Sequence, residues 1–177
     1  MPEWIQLFRV FVGNPSDVIA EVQTIEELIA EWNRTQGPTL HARVEFANWR
    51  THSYPAAGAR PQSLINKQVV DGSDIIVGII RRQLGSPTGK AASGTVEEIE
   101  RGIRQRKSVM VYFANLPEKK QRPPKHEAAR IEEFKRRLGE HALYSTYTSP
   151  SAFEKAFRQH LADAMRELLK TKTKPPQ

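Results

Sequence analysis

Residues 71–113 read DGSDIIVGIIRRQLGSPTGKAASGTVEEIERGIRQRKSVMVYF, and the predicted fold is built around this stretch. Residues 75–80 and 109–113 are apolar runs rich in β-branched side chains, which is typical of strands buried on both faces. A loop containing Gly and Pro, followed by a helical pattern that begins near Gly94, separates them. Two buried strands joined through a helix predict a parallel βαβ unit, with any functional site in the loop after its first strand.

The sequence on both sides of this stretch extends the unit to a full α/β domain. An apolar stripe at helical spacing follows the N-terminal apolar run, and further helical patterns separate the remaining apolar segments. We predict one parallel sheet in a flavodoxin-like three-layer sandwich, with strand order 2-1-3-4-5 because the third strand is the most apolar. The predicted strands are 7–12, 41–46, 74–80, 108–113 and 143–148.

Composition excludes several classes of protein. The 177 residues suit one domain, which we place at 1–170, followed by a basic, Pro-containing tail at 171–177 that is typical of a linker to a larger protein. The chain contains no cysteine, which excludes disulfides and thiol catalysis, and its histidines have no metal-ligand spacing. No apolar stretch is long enough to span a membrane, so we expect a cytoplasmic protein.

The net charge of +7 raises the question of nucleic-acid binding. The basic excess is concentrated at 119–126 and in the tail, and no aromatic residues alternate with these runs to stack on bases. We therefore interpret the charge as a solvated basic surface and expect neither nucleic acid nor membrane as a partner.

The predicted crevice lies at the carboxyl ends of strands 1 and 3. Four stretches should converge there, and the free N–H groups at the start of the helix after strand 3, together with two arginines, favour a phosphate. Turn chemistry explains Asn14 and Ser16 about as well as ligand contact does, and Trp49 and Tyr54 could equally cover the sheet. The candidate nucleotide-binding residues are Gly13, Asn14, Ser16, Trp49, Arg81, Arg82, Ser93, Gly94 and Thr95.

Two carboxylates, Glu97 and Glu98, fall in the first turn of that helix. Thr95 and Glu98 have capping-box spacing, so Glu98 could simply bond back to the Thr95 amide. Alternatively, a carboxylate held at the crevice could stabilise an oxocarbenium ion or attack a ribose carbon. Spacing alone favours the cap, although Glu98 projects away from the apolar stripe of the helix. For the preceding loop, 82–93, we expect mobility because Leu84 is its one large apolar residue.

Several motifs together resemble a bacterial family of TIR-like domains of unknown function, within the superfamily of nucleoside 2-deoxyribosyltransferases and TIR domains. The resemblance covers about residues 7–115, and the GTxxE element is its most specific part. The motifs are VFVGNPSDV at 10–18, PQSLIN at 61–66, DGSDIIVGI at 71–79, QLGSPTG at 83–89, SGTVEEIE at 93–100 and KSVMVYF at 107–113.

The resemblance implies a role for one glutamate. In the deoxyribosyltransferases the Glu of GTxxE is the nucleophile, and in enzymatic TIR domains a Glu at this helix start is required for NAD cleavage. Both correspond to Glu98, with Glu97 as the alternative. The implied activity is hydrolysis of the N-glycosidic bond of NAD or a related nucleotide, which is the substrate, so no separate cofactor or metal is expected.

The resemblance leaves other functions open. Many TIR domains act as interaction modules without chemistry, and this chain lacks the SxxWC context of typical TIR domains. The alternatives are a non-enzymatic signalling module, for instance in a bacterial defence protein, and transfer of the sugar between bases. Self-association or a larger partner is expected in either case.

Overall fold

The computed structural model describes residues 4–13 and 16–171 and contains a five-stranded parallel sheet with helices on both faces. The order across the sheet is β2-β1-β3-β4-β5, and each neighbouring pair is parallel. The predicted flavodoxin-like fold and strand order are confirmed. The strands are β1 (Gln6–Gly13), β2 (Ala42–Ala47), β3 (Ile75–Ile80), β4 (Ser108–Ala114) and β5 (Ser145–Tyr147).

Strand β5 is shorter than the predicted 143–148. It lies at the edge of the sheet, where its three residues pair with Tyr112, Phe113 and Ala114 of β4. Leu143 is 96% exposed, whereas Tyr147 is buried. The Tyr- and Thr-rich composition therefore indicated the strand but not its ends.

The helices match the predicted alternation with the strands, with two additions and one irregularity. The segment 48–60 contains the short helix α3 (Trp49–His52), and α4 (Pro61–Ile65) continues into a π-helical turn at Asn66–Val70. The α-helices are α1 (Ile19–Thr35), α2 (Gly37–Leu40), α3 (Trp49–His52), α4 (Pro61–Ile65), α5 (Gly94–Arg104), α6 (Lys125–Gly139) and α7 (Pro150–Thr171), and a 3₁₀ turn spans Lys119–Gln121.

Alternate residues of the central strand face two separate cores. Ile75, Val77 and Ile79 pack with α1 and α7 on one face of the sheet. Ile76 and Ile80 point to the other face, where the π-helical turn, α5 and α6 pack. All six residues of β3 are buried, which explains why its sequence is apolar without alternation.

Two glycines allow α5 to lie close to the sheet. A Cβ at Gly78 of β3 would overlap Ile99 of α5, and a Cβ at Gly102 of α5 would lie 2.9 Å from Ile76. Side chains at these positions would push the helix outwards. The close approach holds the first turn of α5 beside the carboxyl end of β1, where Gly13 pairs with Gly78.

The loop at 82–93, for which mobility is expected, is anchored to α6. Leu84 is fully buried, and its amide donates to Glu127 Oε2 at 2.7 Å. Arg130 Nη2 donates to the carbonyls of Gly85 at 2.9 Å and Ala92 at 2.6 Å. The expectation rested on the composition of the loop, from which anchors on α6 cannot be recognised, and mobility itself stays a prediction.

Among the described helices, none is both long and apolar enough to cross a membrane. The predicted tail at 171–177 lies, apart from Thr171, outside the described residues.

Candidate functional site

The crevice of the sheet lies between the carboxyl ends of β1 and β3. The chain leaves β1 towards α1 on one face, and it leaves β3 towards α5 on the other face. Parallel sheets of this kind bind ligands at such a point, because the diverging connections leave a gap. The first turn of α5 borders this gap.

Glu98 lies at the floor of the gap. It is 5% exposed, and Gln62 Nε2 of α4 donates to its Oε1 at 2.9 Å. A Cβ on Gly13 would overlap Glu98 Oε2, so the carboxyl group lies directly against the backbone at the end of β1. Glycine at position 13 is therefore required by space, not by a left-handed backbone.

Burial strongly perturbs the titration of Glu98. Loss of water around the carboxylate raises the pKa of Glu98 to about 8, the hydrogen bond from Gln62 opposes this rise, and the charge of Glu97 adds to it. A pKa of about 8 favours the protonated carboxyl group at neutral pH. Titratable groups with such shifts are concentrated at functional sites.

Glu97, its neighbour, has a very different environment. It is 8% exposed and forms a two-point ion pair with Arg60, with Nη2 to Oε1 at 2.5 Å and Nη1 to Oε2 at 2.9 Å. The Thr88 hydroxyl donates to Oε2 at 2.6 Å, and Asn66 Nδ2 donates to Oε1 at 3.0 Å. The hydrogen bond from Arg60 holds the pKa of Glu97 below its usual range.

The Glu97 network joins three segments of the chain. Arg60 precedes α4, Asn66 begins the π-helical turn, and Thr88 belongs to the loop after β3. Arg60 Nη1 also donates to the Thr88 carbonyl at 3.1 Å. Glu97 thus fixes the loops that border the crevice, which is a structural role.

The capping-box alternative for Glu98 is wrong. Helix α5 begins at Gly94, and Ser93 is its cap, with Oγ accepting from the Val96 amide at 3.2 Å. Thr95 therefore lies inside the first turn, where it is buried. The Glu98 carboxyl turns to Gln62 instead, so it does not cap the helix.

The other predicted site residues, apart from the two arginines, separate into two groups. One group lies around Glu98 at the floor of the crevice and consists of Gly13, Ser93, Gly94 and Thr95. There, a Cβ on Gly94 would lie 2.7 Å from Gln62 Oε1.

The second group lies at or beyond the rim of the crevice. Ser16 Oγ accepts from Gln83 Nε2 at 3.0 Å, and Trp49 is 44% exposed. Asn14 is outside the described residues.

The two arginines point to other partners. Arg81 donates through Nη1 to the Asp17 carbonyl at 3.3 Å and through Nη2 to Gln121 Oε1. Arg82 donates through its amide to Asp17 Oδ2 at 2.8 Å and through Nε to the Arg122 carbonyl at 3.3 Å. These contacts hold the start of α1 and the 3₁₀ turn, and no described contact joins either guanidinium to Glu98.

Two open cavities flank the crevice, and both are partly lined by Ser16. One, of about 220 Å³, includes Trp49, and the other, of about 460 Å³, includes Gly85 and Arg130. Glu98 lines neither of them. Among the described residues, no cluster of three His, Asp or Glu side chains could hold a metal ion.

Sequence reasoning did not assign roles to Gln62, Arg60, Asn66 or Thr88. Gln62 and Asn66 are four residues apart, which places them on one side of the helical segment before β3, and Gln62 Nε2 also donates to Asn66 Oδ1 at 3.2 Å. This spacing indicates that the two side chains face the same way, but nothing in the sequence links them to Glu97 or Glu98.

A family model described as a domain of unknown function, DUF4062, matches residues 16–162. The chain belongs to this family. A search of curated proteins finds no match. The family match covers the crevice of this DUF4062 member except for Gly13, and its description assigns no function.

Solved structures similar to this family member have low sequence identity. S. aureus homoserine dehydrogenase is 12% identical with a TM-score of 0.39, over 82% of this chain and 32% of that chain. Rubredoxin oxygen:oxidoreductase of Desulfovibrio gigas is 11% identical with a TM-score of 0.43, over 95% and 37%. RosB with a bound formylriboflavin phosphate intermediate is 12% identical with a TM-score of 0.42, over 93% and 81%. The chain spans about a third of the length of the first two proteins.

Proposed function

We propose that this domain is TIR-like and cleaves the N-glycosidic bond of NAD or a related nucleotide, with Glu98 as the catalytic carboxyl group. One observation carries the proposal: a desolvated carboxyl group lies at the floor of the crevice, against the backbone of Gly13, with Gln62 as its described hydrogen-bond donor. The GTxxE resemblance supports the same residue.

The environments of the two glutamates support acid–base chemistry at this position. Neighbouring carboxyl groups with pKa values shifted in opposite directions allow one to stay ionised while the other carries a proton. Here Glu97 is the ionised group and Glu98 the protonated one. Because Arg60, Asn66 and Thr88 already bind both oxygens of Glu97, Glu98 is the carboxyl group left for a substrate.

For NAD as substrate, the proposed role of Glu98 requires its ionised form. The nicotinamide ring of NAD is cationic, so its approach favours the ionised form of Glu98. The C1′–N bond then breaks with its electron pair moving to nicotinamide, and the carboxylate stabilises the positive charge that develops on the ribose. Water adds to C1′ and releases a proton.

Nucleoside deoxyribosyl transfer is a second candidate, and the protonated state of Glu98 favours it. A neutral base leaves more easily when a proton is delivered to it, and a carboxyl group with a pKa of about 8 holds such a proton at neutral pH. The second base then bonds to C1′ instead of water, and the proton that it loses returns to the Glu98 carboxylate.

A non-enzymatic interaction module, for instance in bacterial defence signalling, is the third candidate. It is favoured by the closure of the site, since Glu98 is 5% exposed and lines neither flanking cavity. In this candidate, the function of the domain would be to bind a second copy of itself or a larger partner.

One experiment separates the three candidates. The pure protein is incubated with NAD, NADP and deoxynucleosides, with and without a second free base, and the products are resolved by chromatography. Hydrolysis yields the free base and the sugar-containing fragment. Transfer yields a new nucleoside only when the second base is present. Lack of any product, including at concentrations that promote self-association, would contradict both enzymatic candidates.

A further inference from the structure

Asn66, the first residue of the π-helical turn, links the environments of the two glutamates. It is 2% exposed, and both ends of its carboxamide are hydrogen-bonded. Its Nδ2 donates to Glu97 Oε1 at 3.0 Å, and its Oδ1 accepts from Gln62 Nε2 at 3.2 Å. Gln62 Nε2 also donates to Glu98 Oε1 at 2.9 Å. Two carboxamides thus form a hydrogen-bonded chain from one glutamate to the other.

The direction of this chain is fixed from the Glu97 end. The hydrogen bond from Arg60 lowers the pKa of Glu97, and an ionised carboxylate can only accept hydrogen bonds. Asn66 therefore turns its NH₂ group to Glu97 and its oxygen to Gln62. Because that oxygen needs a donor, Gln62 turns its own NH₂ group to Asn66, and the second N–H of this group reaches Glu98.

The opposite orientation of the Gln62 carboxamide is unfavourable. It would place the Gln62 oxygen against Asn66 Oδ1 and against Glu98 Oε1, so acceptors would face acceptors. The end of the side chain is also confined by α5, since a Cβ on Gly94 would lie 2.7 Å from Gln62 Oε1 and 3.8 Å from Nε2. Gln62 is consequently held as a hydrogen-bond donor to Glu98.

The charged groups around the first turns of α5 are paired with partners other than Glu98. Arg60, which precedes α4, binds Glu97 through both Nη atoms, and Arg101 of α5 binds Asp71 at 2.6 Å. Strands β1 and β3 reach this part of α5 through glycines. The hydrogen bond from Gln62 favours the ionised form of Glu98, whereas burial and the charge of Glu97 raise the pKa of Glu98.

We propose that Asn66 is a positioning residue, which holds the Gln62 carboxamide in the orientation that donates to Glu98 and thereby favours the ionised form of Glu98. Cleavage of NAD uses this form, so the catalytic benefit rests on the proposed function. The orientation itself does not, because it follows from the contacts of Glu97, Asn66 and Gln62. Without Asn66, the Gln62 carboxamide can rotate, and Glu98 loses part of its hydrogen bond.

The titration of Glu98 tests this role without a substrate. The ¹³C NMR signal of the Glu98 carboxyl carbon, identified by its absence from Glu98→Gln, reports the pKa of Glu98. Asn66→Leu removes the carboxamide at nearly constant volume, so this pKa should rise by about half a unit, or about threefold in the ionisation constant. Thr88→Val is the matched control, because it removes a different donor from Glu97 and leaves the contact between Gln62 and Asn66. It should leave the pKa of Glu98 unchanged.

Two further comparisons make the result decisive. In a Gln62→Met background, Asn66→Leu should no longer shift the pKa of Glu98, because Gln62 carries the effect. If the melting curve shows that Asn66→Leu does not fold, Asn66→Ser replaces it, since the shorter side chain cannot reach both Gln62 and Glu97. Absence of a shift, equal shifts in Asn66→Leu and Thr88→Val, or a shift that persists in the Gln62→Met background would overturn the proposal.

The pH profile of NAD cleavage is the second readout. Asn66→Leu should lower kcat/KM about threefold at about pH 7 and leave it unchanged at about pH 9.5, where Glu98 is ionised in both proteins. An equal loss at both pH values would contradict the positioning role. Absence of cleavage by wild type would instead contradict the proposed function, and the NMR titration would still decide the role of Asn66.

Discussion

Glu97 and Glu98 are adjacent in sequence and similarly buried, yet the regions around them differ in the hydrogen-bond donors that face each carboxyl group. Around Glu97, three side chains from three segments donate to both oxygens. Around Glu98, Gln62 donates to one oxygen, and the other lies against Gly13. The pKa of Glu97 is consequently lowered and that of Glu98 is raised.

Burial alone therefore does not define a catalytic carboxyl group. A buried carboxylate with all its hydrogen bonds satisfied stabilises the fold and has no capacity left for a substrate. A buried carboxyl group with few partners is costly to ionise, and such a group persists where its chemistry is used.

The largest effect on stability should be the pH dependence that Glu98 contributes. Its pKa is about 8 in the folded protein and 4.5 as a reference value, so the folded state binds the proton more tightly. This stabilisation is fully present below about pH 4.5 and is lost as pH rises to about 8. Its size is on the order of 5 kcal/mol.

Glu98→Gln isolates this contribution because it lacks the titrating group and keeps the other groups. Urea unfolding of both proteins at about pH 5 and about pH 9 should show the variant gaining stability relative to wild type as pH rises. Parallel pH dependences in the two proteins would show that Glu98 titrates normally.

Removal of the Glu97 carboxylate should destabilise the fold at neutral pH. Glu97→Ala leaves Arg60 without its ion-pair partner and Asn66 and Thr88 without an acceptor, at a cost of about 3 kcal/mol. Glu100→Ala on the same helix is the control, because Glu100 makes one peripheral contact with Arg137 at 3.5 Å and should cost less than about 1 kcal/mol. Equal urea midpoints for Glu97→Ala and Glu100→Ala would contradict a structural role of Glu97.

Gly13→Ala should affect the Glu98 region specifically. The added Cβ overlaps Glu98 Oε2, whereas the next side chain, Phe11, is 3.4 Å away. We expect a loss of about 1 to 2 kcal/mol in unfolding free energy, since the carboxyl group must move. In a Glu98→Ala background most of this loss should disappear, and a double-mutant cycle measures the coupling. If the effects of the two substitutions on the unfolding free energy were fully additive, the Glu98 carboxyl group would not lie against Gly13.

The smallest effect should come from Gln62. Gln62→Met removes the hydrogen bond that stabilises ionised Glu98, so the pKa of Glu98 should rise further, by less than about one unit. The midpoint of the pH-dependent stability difference reports this shift. Gln68→Met, which loses contacts with the backbone of Tyr54, is the matched control and should leave the midpoint unchanged.

The sequence was sufficient for the sheet because apolar runs such as 75–80 report burial on both faces directly. It also placed Gly13 and Glu98 at one crevice, because Gly13 ends β1 and Glu98 lies near the start of the helix that follows β3. It did not reveal the contacts of Arg81 and Arg82 with Asp17, because a charged residue after a strand can turn to either face, and that choice depends on distant residues.

The distinction between Glu97 and Glu98 was also beyond the sequence. Arg60 lies 37 residues from Glu97, and Gln62 lies 36 residues from Glu98, so no local spacing reports these pairs. The cap of α5 shows the same limit. Ser93 and Thr95 both suit an N-cap, and the helix begins after Ser93.

The most direct test of the account compares the rates of nucleotide cleavage by wild type, Glu98→Gln and Glu97→Gln, each shown to be folded by its unfolding transition. An amide cannot carry the negative charge that stabilises a ribosyl cation, so Glu98→Gln should lose about 10³-fold or more in kcat. Folded Glu97→Gln should keep most of the activity. Retention of the wild-type rate by Glu98→Gln, above all together with loss in Glu97→Gln, would contradict the assignment of Glu98 as the catalytic carboxyl group.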